Sequence, residues 1–157
     1  MNKRLIISLA FGIMIVAVWA QTGLFDLYYD AKLETAHQIM LGGGFELIDS
    51  RANIGEYRSA TNIYVSSILL LADPETSRLA GWMINYNKEN TAENDAYVLD
   101  KLAALYGKTN HYDEDTEQLI WFLSDTRTVH VMYGKDEDLI VLYYDSRFPG
   151  LFERGKR

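Results

Sequence analysis

The chain reads as an α+β domain, two helices packed on one face of an antiparallel sheet, with an order of elements that divides into two α-β-β-β halves. Three observations predict this. Apolar residues recur at helical spacing in two segments and at strand spacing in several others. Short polar connections, Ser124-Asp125-Thr126 and Gly134-Lys135-Asp136-Glu137, separate the last strands as hairpins require. A shift of 65 residues lays Asp30-Ala31 on Asp95-Ala96, Leu41-Gly42 on Tyr106-Gly107 and Ile63–Ile68 over Thr128–Tyr133. Leu79–Tyr86 then matches Asp138–Asp145 if the first hairpin is about six residues longer.

The elements follow in chain order. Asp26 to Leu41 predicts a helix carrying Leu27, Ala31, Ile39 and Met40, and Gly42-Gly43-Gly44 stops it. Phe45 to Ile48 is a short strand and Asp49 to Gly55 a loop, broken at Asn53 and Gly55. Glu56 to Ala72 is the strongest β region: Ile63, Val65, Leu69 and Leu71 share one parity, while Ile68 and Leu70 weight the other. Asp73-Pro74-Glu75-Thr76 is a turn, with proline preset for its second position. Arg78 to Tyr86 returns as a strand, and Asn87 to Asn94 is polar.

Thr91 or Asn94 caps a second helix from about Asp95 to Tyr106, with Val98, Leu102 and Leu105 on one side and Gly107 at its end. Lys108 to Thr116 is a charged loop. Three strands follow, Glu117–Leu123, Thr128–Tyr133 and Asp138–Asp145. The expected organisation is therefore one domain over 26–148, with halves 26–86 and 94–145 and a tail at 149–157.

That order of elements, over roughly residues 26–145, resembles small exported proteins built from tandem helix-plus-meander units, such as the beta-lactamase-inhibitor-protein family. The resemblance implies a protein-binding role. It transfers no residue, and the disulfides expected of that family have no counterpart in a chain without cysteine.

The start of the chain bears on location. Lys3 and Arg4 precede an uncharged run, Leu5 to Ala20, that closes on Val18-Trp19-Ala20. A basic start, an apolar stretch and small residues at the last and third-last positions make the pattern of a secretory signal over 1–20. Extended through Leu24 and Phe25, the run becomes long enough for a membrane anchor over 5–25, its start held inside by Lys3 and Arg4. Residues beyond it are expected to be periplasmic or secreted after cleavage at Ala20, or inner-membrane anchored and facing outward. On this reading the only membrane contact is through an uncleaved N-terminal helix.

Composition narrows the chemistry. The 157 residues suit one domain, and zero cysteines remove thiol, disulfide and lipid-carrying roles. Net charge is −7, and 13 basic against 22 acidic residues give −9 once 1–20 are removed. Such a surface repels nucleic acid and attracts basic proteins.

No cofactor or metal is implied. His37, His111 and His130 lack ligand spacing, and Gly42-Gly43-Gly44 follows a helix instead of opening one, so it offers no phosphate cradle. No HExxH, GxSxG or P-loop motif occurs.

Two groups remain as a candidate binding surface. Trp82, Tyr86, Trp121, Tyr133, Tyr143 and Tyr144 fall on strands expected to be neighbours, where an exposed aromatic row would bind protein. Asp113, Asp115 and Glu117 alternate in an acidic stretch that lacks the glycine of a calcium loop. The class favoured is a non-enzymatic, protein-binding envelope module of inhibitor or immunity type. Its rivals are a tethered accessory subunit of an envelope complex and a small hydrolase using carboxylates near 113–117 and 136–138.

Overall fold

The computed structural model describes residues 22–152. The proposed signal at 1–20, most of the alternative anchor at 5–25, and tail residues 153–157 lie outside the described residues. Among those described, no helix is long and apolar enough to cross a membrane.

A 3-10 turn, Leu24–Asp26, leads to helix α1, Leu33–Gly42, and to strands β1 (Glu46–Arg51), β2 (Ile54–Arg58), β3 (Val65–Ala72) and β4 (Leu79–Tyr86). Helix α2, Ala92–Tyr106, then opens a second set: β5 (His111–Asp113), β6 (Gln118–Phe122), β7 (Arg127–Tyr133) and β8 (Leu139–Asp145), with a short α3 at Pro149–Phe152. All eight strands form one antiparallel sheet in the order β1-β2-β3-β4-β8-β7-β6-β5. The two four-stranded meanders thus meet at their last strands, through Trp82↔Tyr143 and Ile84↔Val141.

The α+β class and the antiparallel sheet agree with the sequence, but each half carries four strands where three are expected. One extra strand comes from the division of the expected 56–72 strand into two, the other from a supposed loop. Residues 49–55, expected as a loop, form a tight hairpin, with Ala52 at φ 38° between Arg51 and Ile54. The charged stretch 108–116 contains β5, a three-residue edge strand too short and polar to show a period. The two strands of the 56–72 region are β2 and β3, and Ile63 sits 69% exposed in the loop between them.

The first helix starts late. Leu27, Tyr29 and Ala31 are all buried while Tyr28 and Asp30 are exposed, a two-residue alternation of extended chain. Leu27 and Ala31 satisfy both helical and extended spacing, and Tyr29 between them decides the matter. Isolated bridges Thr22↔Tyr28 and Lys32↔Arg78 hold this extended segment. Helix α2 opens on a capping box, in which the Thr91 and Asn94 side chains bond reciprocally to each other's backbone. Its buried residues are Val98 and Leu102, with Tyr106 completing the stripe while Leu105 is 40% exposed.

Strand register sorts every side chain onto one of two faces. One row runs Leu47-Tyr57-Ile68-Ile84-Val141-Val131-Leu119-Tyr112 across all eight strands. Both helices cover this face: His37 of α1 hydrogen-bonds the Tyr57 hydroxyl at 3.0 Å, and Tyr106 of α2 donates toward Tyr143 at 3.4 Å. The opposite row reads Asp49-Glu56-Leu69-Met83-Leu142-His130-Ile120-His111. No helix other than α3 at one corner approaches that face among the described residues.

Candidate functional site

The six aromatic candidates separate by face. Trp82 and Tyr143 are fully buried and stacked, ring centroids 4.1 Å apart at 13°. Their covered face closes over them so tightly that a Cβ on Gly23 would collide with both rings. Trp121 is buried as well, its indole N–H donating to the Gly107 carbonyl at the end of α2 at 3.0 Å. Tyr86 is 6% exposed. These four belong to the core, and burial pushes the Tyr143 phenol well above its ordinary pKa.

Tyr133 shares their parity but lies beyond the first turn of α2, 60% exposed, with its hydroxyl donating to Asp95 at 2.9 Å. Tyr144 alone lies on the open face, half-buried with its ring edge against Phe152 of α3 at 4.6 Å. An aromatic ring on a strand carries no mark of which parity it occupies until the partner strands are known.

The acidic candidates serve the turn between β5 and β6. Asp113 accepts the backbone N–H groups of Asp115, at 3.0 Å, and Thr116, at 3.4 Å. Its carboxyl is held below the ordinary value, chiefly by a hydrogen bond from the Thr116 side chain. Asp115 and Glu117 are exposed. Among the described residues no group of three or more His, Asp or Glu is arranged to hold a metal ion.

The open face has a different make-up, missed by a search for aromatics. At its centre Leu69, Met83 and Leu142 lie side by side on β3, β4 and β8, all half-buried. Ile140 and Met132 continue the patch on the next rung, and Ser67 and Asn85 extend that rung across β3 and β4. His130 forms its polar spine: Nδ1 lies 2.9 Å from the Gln118 side-chain oxygen Oε1 and Nε2 lies 2.8 Å from the Thr128 hydroxyl. Burial lowers the His130 pKa, partly offset by the charge of Asp113, so the ring is neutral at pH 7. Acidic Asp49 and Glu56 close the row at the β1–β2 end.

The alternating signal was present. Ile140, Leu142 and Tyr144 alternate with Leu139, Val141 and Tyr143, so β8 is apolar on both faces. For a sheet with helices on one side only, that pattern marks a second surface to be covered.

One charged cluster ties the N-terminal segment to the second half. Arg127 bonds Asp145 through Nε at 3.1 Å and pairs with Asp30, while Arg147 reaches Asp145 at 2.6 Å. The Arg127 guanidinium also lies over the Tyr29 ring, 4.6 Å from its centroid. Both members of the Arg127–Asp145 pair are buried and bonded to each other, and only Arg147 of the cluster borders a cleft, a shallow one beside Asp73 and Pro149; the pair's role is structural.

No protein-family model, curated protein or solved structure matches this chain.

Proposed function

We propose that this chain is an exported, non-enzymatic protein-binding module that engages its partner through the open face of the sheet. The observation that carries this reading is the Leu69–Met83–Leu142 patch with Ile140 and Met132. It is a contiguous apolar surface that, among the described residues, is left uncovered by a fold whose two longer helices lie on the other side. Contiguous apolar patches of this sort mark interaction sites, whereas isolated exposed apolar residues are ordinary. The net charge of −7 and the acidic end of the face favour a basic partner. The order of elements, twice a helix followed by a meander, supports an inhibitor or immunity role by resemblance to the beta-lactamase-inhibitor-protein family.

The apolar run at 5–20 supports export, by a cleaved signal or a retained anchor. Fractionation with intact-mass measurement tests that part: a full-length chain dissolved in cytosol would remove it.

The binding part is tested by affinity capture from envelope extract at low salt. Wild type is compared with Leu142→Asp, Met83→Lys and, on the exposed side of α1, Gln38→Ala. The expected result is one co-purifying protein, lost with both sheet variants and kept with Gln38→Ala. Absence of any partner, or a partner indifferent to Leu142→Asp and Met83→Lys in folded protein, overturns the reading.

A further inference from the structure

On the covered side of the molecule, a cleft of about 590 Å³ opens between the N-terminal half of α2, the 3-10 turn and the start of β3. It is independent of the sheet face discussed above. Its floor is apolar: Val65 and Tyr86 from the sheet, Val98 from the helix and Phe25 from the turn. Phe25 is held there with a left-handed backbone, φ 63°, and its ring meets Phe45 edge-on at 5.5 Å. Tyr64 and Tyr97 form a lip, 51% and 62% exposed. A volume of this size fits a small organic ligand, and pockets of that class pair apolar walls with few polar groups.

Those polar groups share one character. The chain holds 22 acidic residues against 15 basic ones, yet among the described residues no aspartate or glutamate lines the cleft. Among the described residues Lys101 is the single charged residue of the lining; it makes no ion pair there and stands 5.1 Å from the Tyr97 ring centroid. Asn62 and Asn94 add amide donors. Each spends its carbonyl oxygen locally, on Tyr64 N–H and on Thr91, and neither NH2 group finds an acceptor among the described residues. A lone cation with two uncommitted amide donors above an apolar, aromatic floor complements one carboxylate on an apolar body.

We propose that this cleft binds an arylalkyl or aliphatic monocarboxylate. The apolar part packs on Val65, Tyr86 and Val98, and the carboxylate is held by Lys101 with Asn62 and Asn94. Nothing covalent happens; the site recognises and retains its ligand.

The test uses the full chain and two probes of matched shape, 4-phenylbutyrate and the uncharged 4-phenylbutan-1-ol. Calorimetry is run on wild type, Lys101→Gln and, as a control at an exposed lysine outside the cleft, Lys108→Gln. Wild type is expected to bind the acid about ten-fold more tightly than the alcohol, as one unscreened charge-assisted contact allows. Lys101→Gln should erase that preference, and Lys108→Gln should keep it. Because Lys101 is exposed, the variant is expected to fold as wild type does, which its unfolding curve checks. Amide shifts on adding the acid should centre on Phe25, Val65 and Val98. Equal binding of acid and alcohol, binding of neither, a preference that survives in Lys101→Gln, or shifts centred elsewhere would overturn the proposal.

Discussion

The two faces of the sheet are built by the same eight strands and differ in what covers them. On one, Trp82, Tyr143, Val129 and Ile84 are sealed by two helices and the 22–31 segment to 0% exposure. On the other, Leu69, Met83 and Leu142 occupy equivalent rungs and stay half-buried with nothing above them among the described residues. The covered residues account for themselves by folding, since their burial is the driving force. Those on the open side contribute less to stability, and their apolar character needs a further cause, which the proposed partner would supply.

Mutations sharpen this contrast, beginning with the largest effect. Trp82→Ala should cost about 3–5 kcal/mol in urea unfolding, as a large core truncation does, whereas Leu142→Ala on the open face should cost about 1 kcal/mol or less. Equal losses would mean that the open face is as much core as the covered one.

Arg127→Leu should cost about 3 kcal/mol, because it leaves buried Asp145 with one of its two arginines. The pH dependence follows from the same cluster. Burial alone would raise the Asp145 carboxyl, but hydrogen bonds from Arg147 and then Arg127 outweigh it and hold it below its ordinary 3.8. A depressed carboxyl contributes stability that is complete above the unfolded value and lost as pH falls below it. Wild type should therefore lose stability on acidification below about pH 4, and Arg127→Leu should lose less over that range. Unfolding curves at several acidic pH values check both.

Gly23→Ala should cost about 1–3 kcal/mol by thermal unfolding, since the new methyl has to displace the Trp82 and Tyr143 rings. A neutral result would show the covered face to be loosely closed.

The smallest effect concerns the open face and its partner. His130 titrates below its ordinary 6.5, with Asp113 the charged group acting on it. A partner seated over the ring would exclude more water and lower the value further, so binding should weaken a few-fold from about pH 7.5 to about pH 5.5. His130→Gln should flatten that dependence. An affinity that rises with acid would place the partner elsewhere.

Much of the fold is legible from local pattern. The second helix, its threonine cap, the Asp73-Pro74 turn and β4, β6, β7 and β8 all fall within a few residues of expectation. What escaped depends on distant partners. The 27–31 segment is extended because Leu79 and Arg78 receive it, and β5 is a strand because β6 pairs with it. The site is less legible for the same reason. Aromatic residues at 82, 121 and 143 gave no sign of parity, whereas apolar residues on both faces of β8 marked an unfilled surface without naming its occupant.

The embrace of Gly23–Asp30 by the last two strands has a consequence for how the molecule comes into being. Leu24 N–H donates to the Tyr143 hydroxyl across 119 residues, Tyr29 reaches the Tyr144 carbonyl across 115, and Arg127 clasps Asp30 across 97. A growing polypeptide cannot close these links until its final hairpin has been made, so the earliest residues wait longest for their neighbours. Ribosome-bound fragments ending before Tyr143 should therefore stay open to protease, and a nascent chain in that condition is one that can still be threaded through a narrow pore.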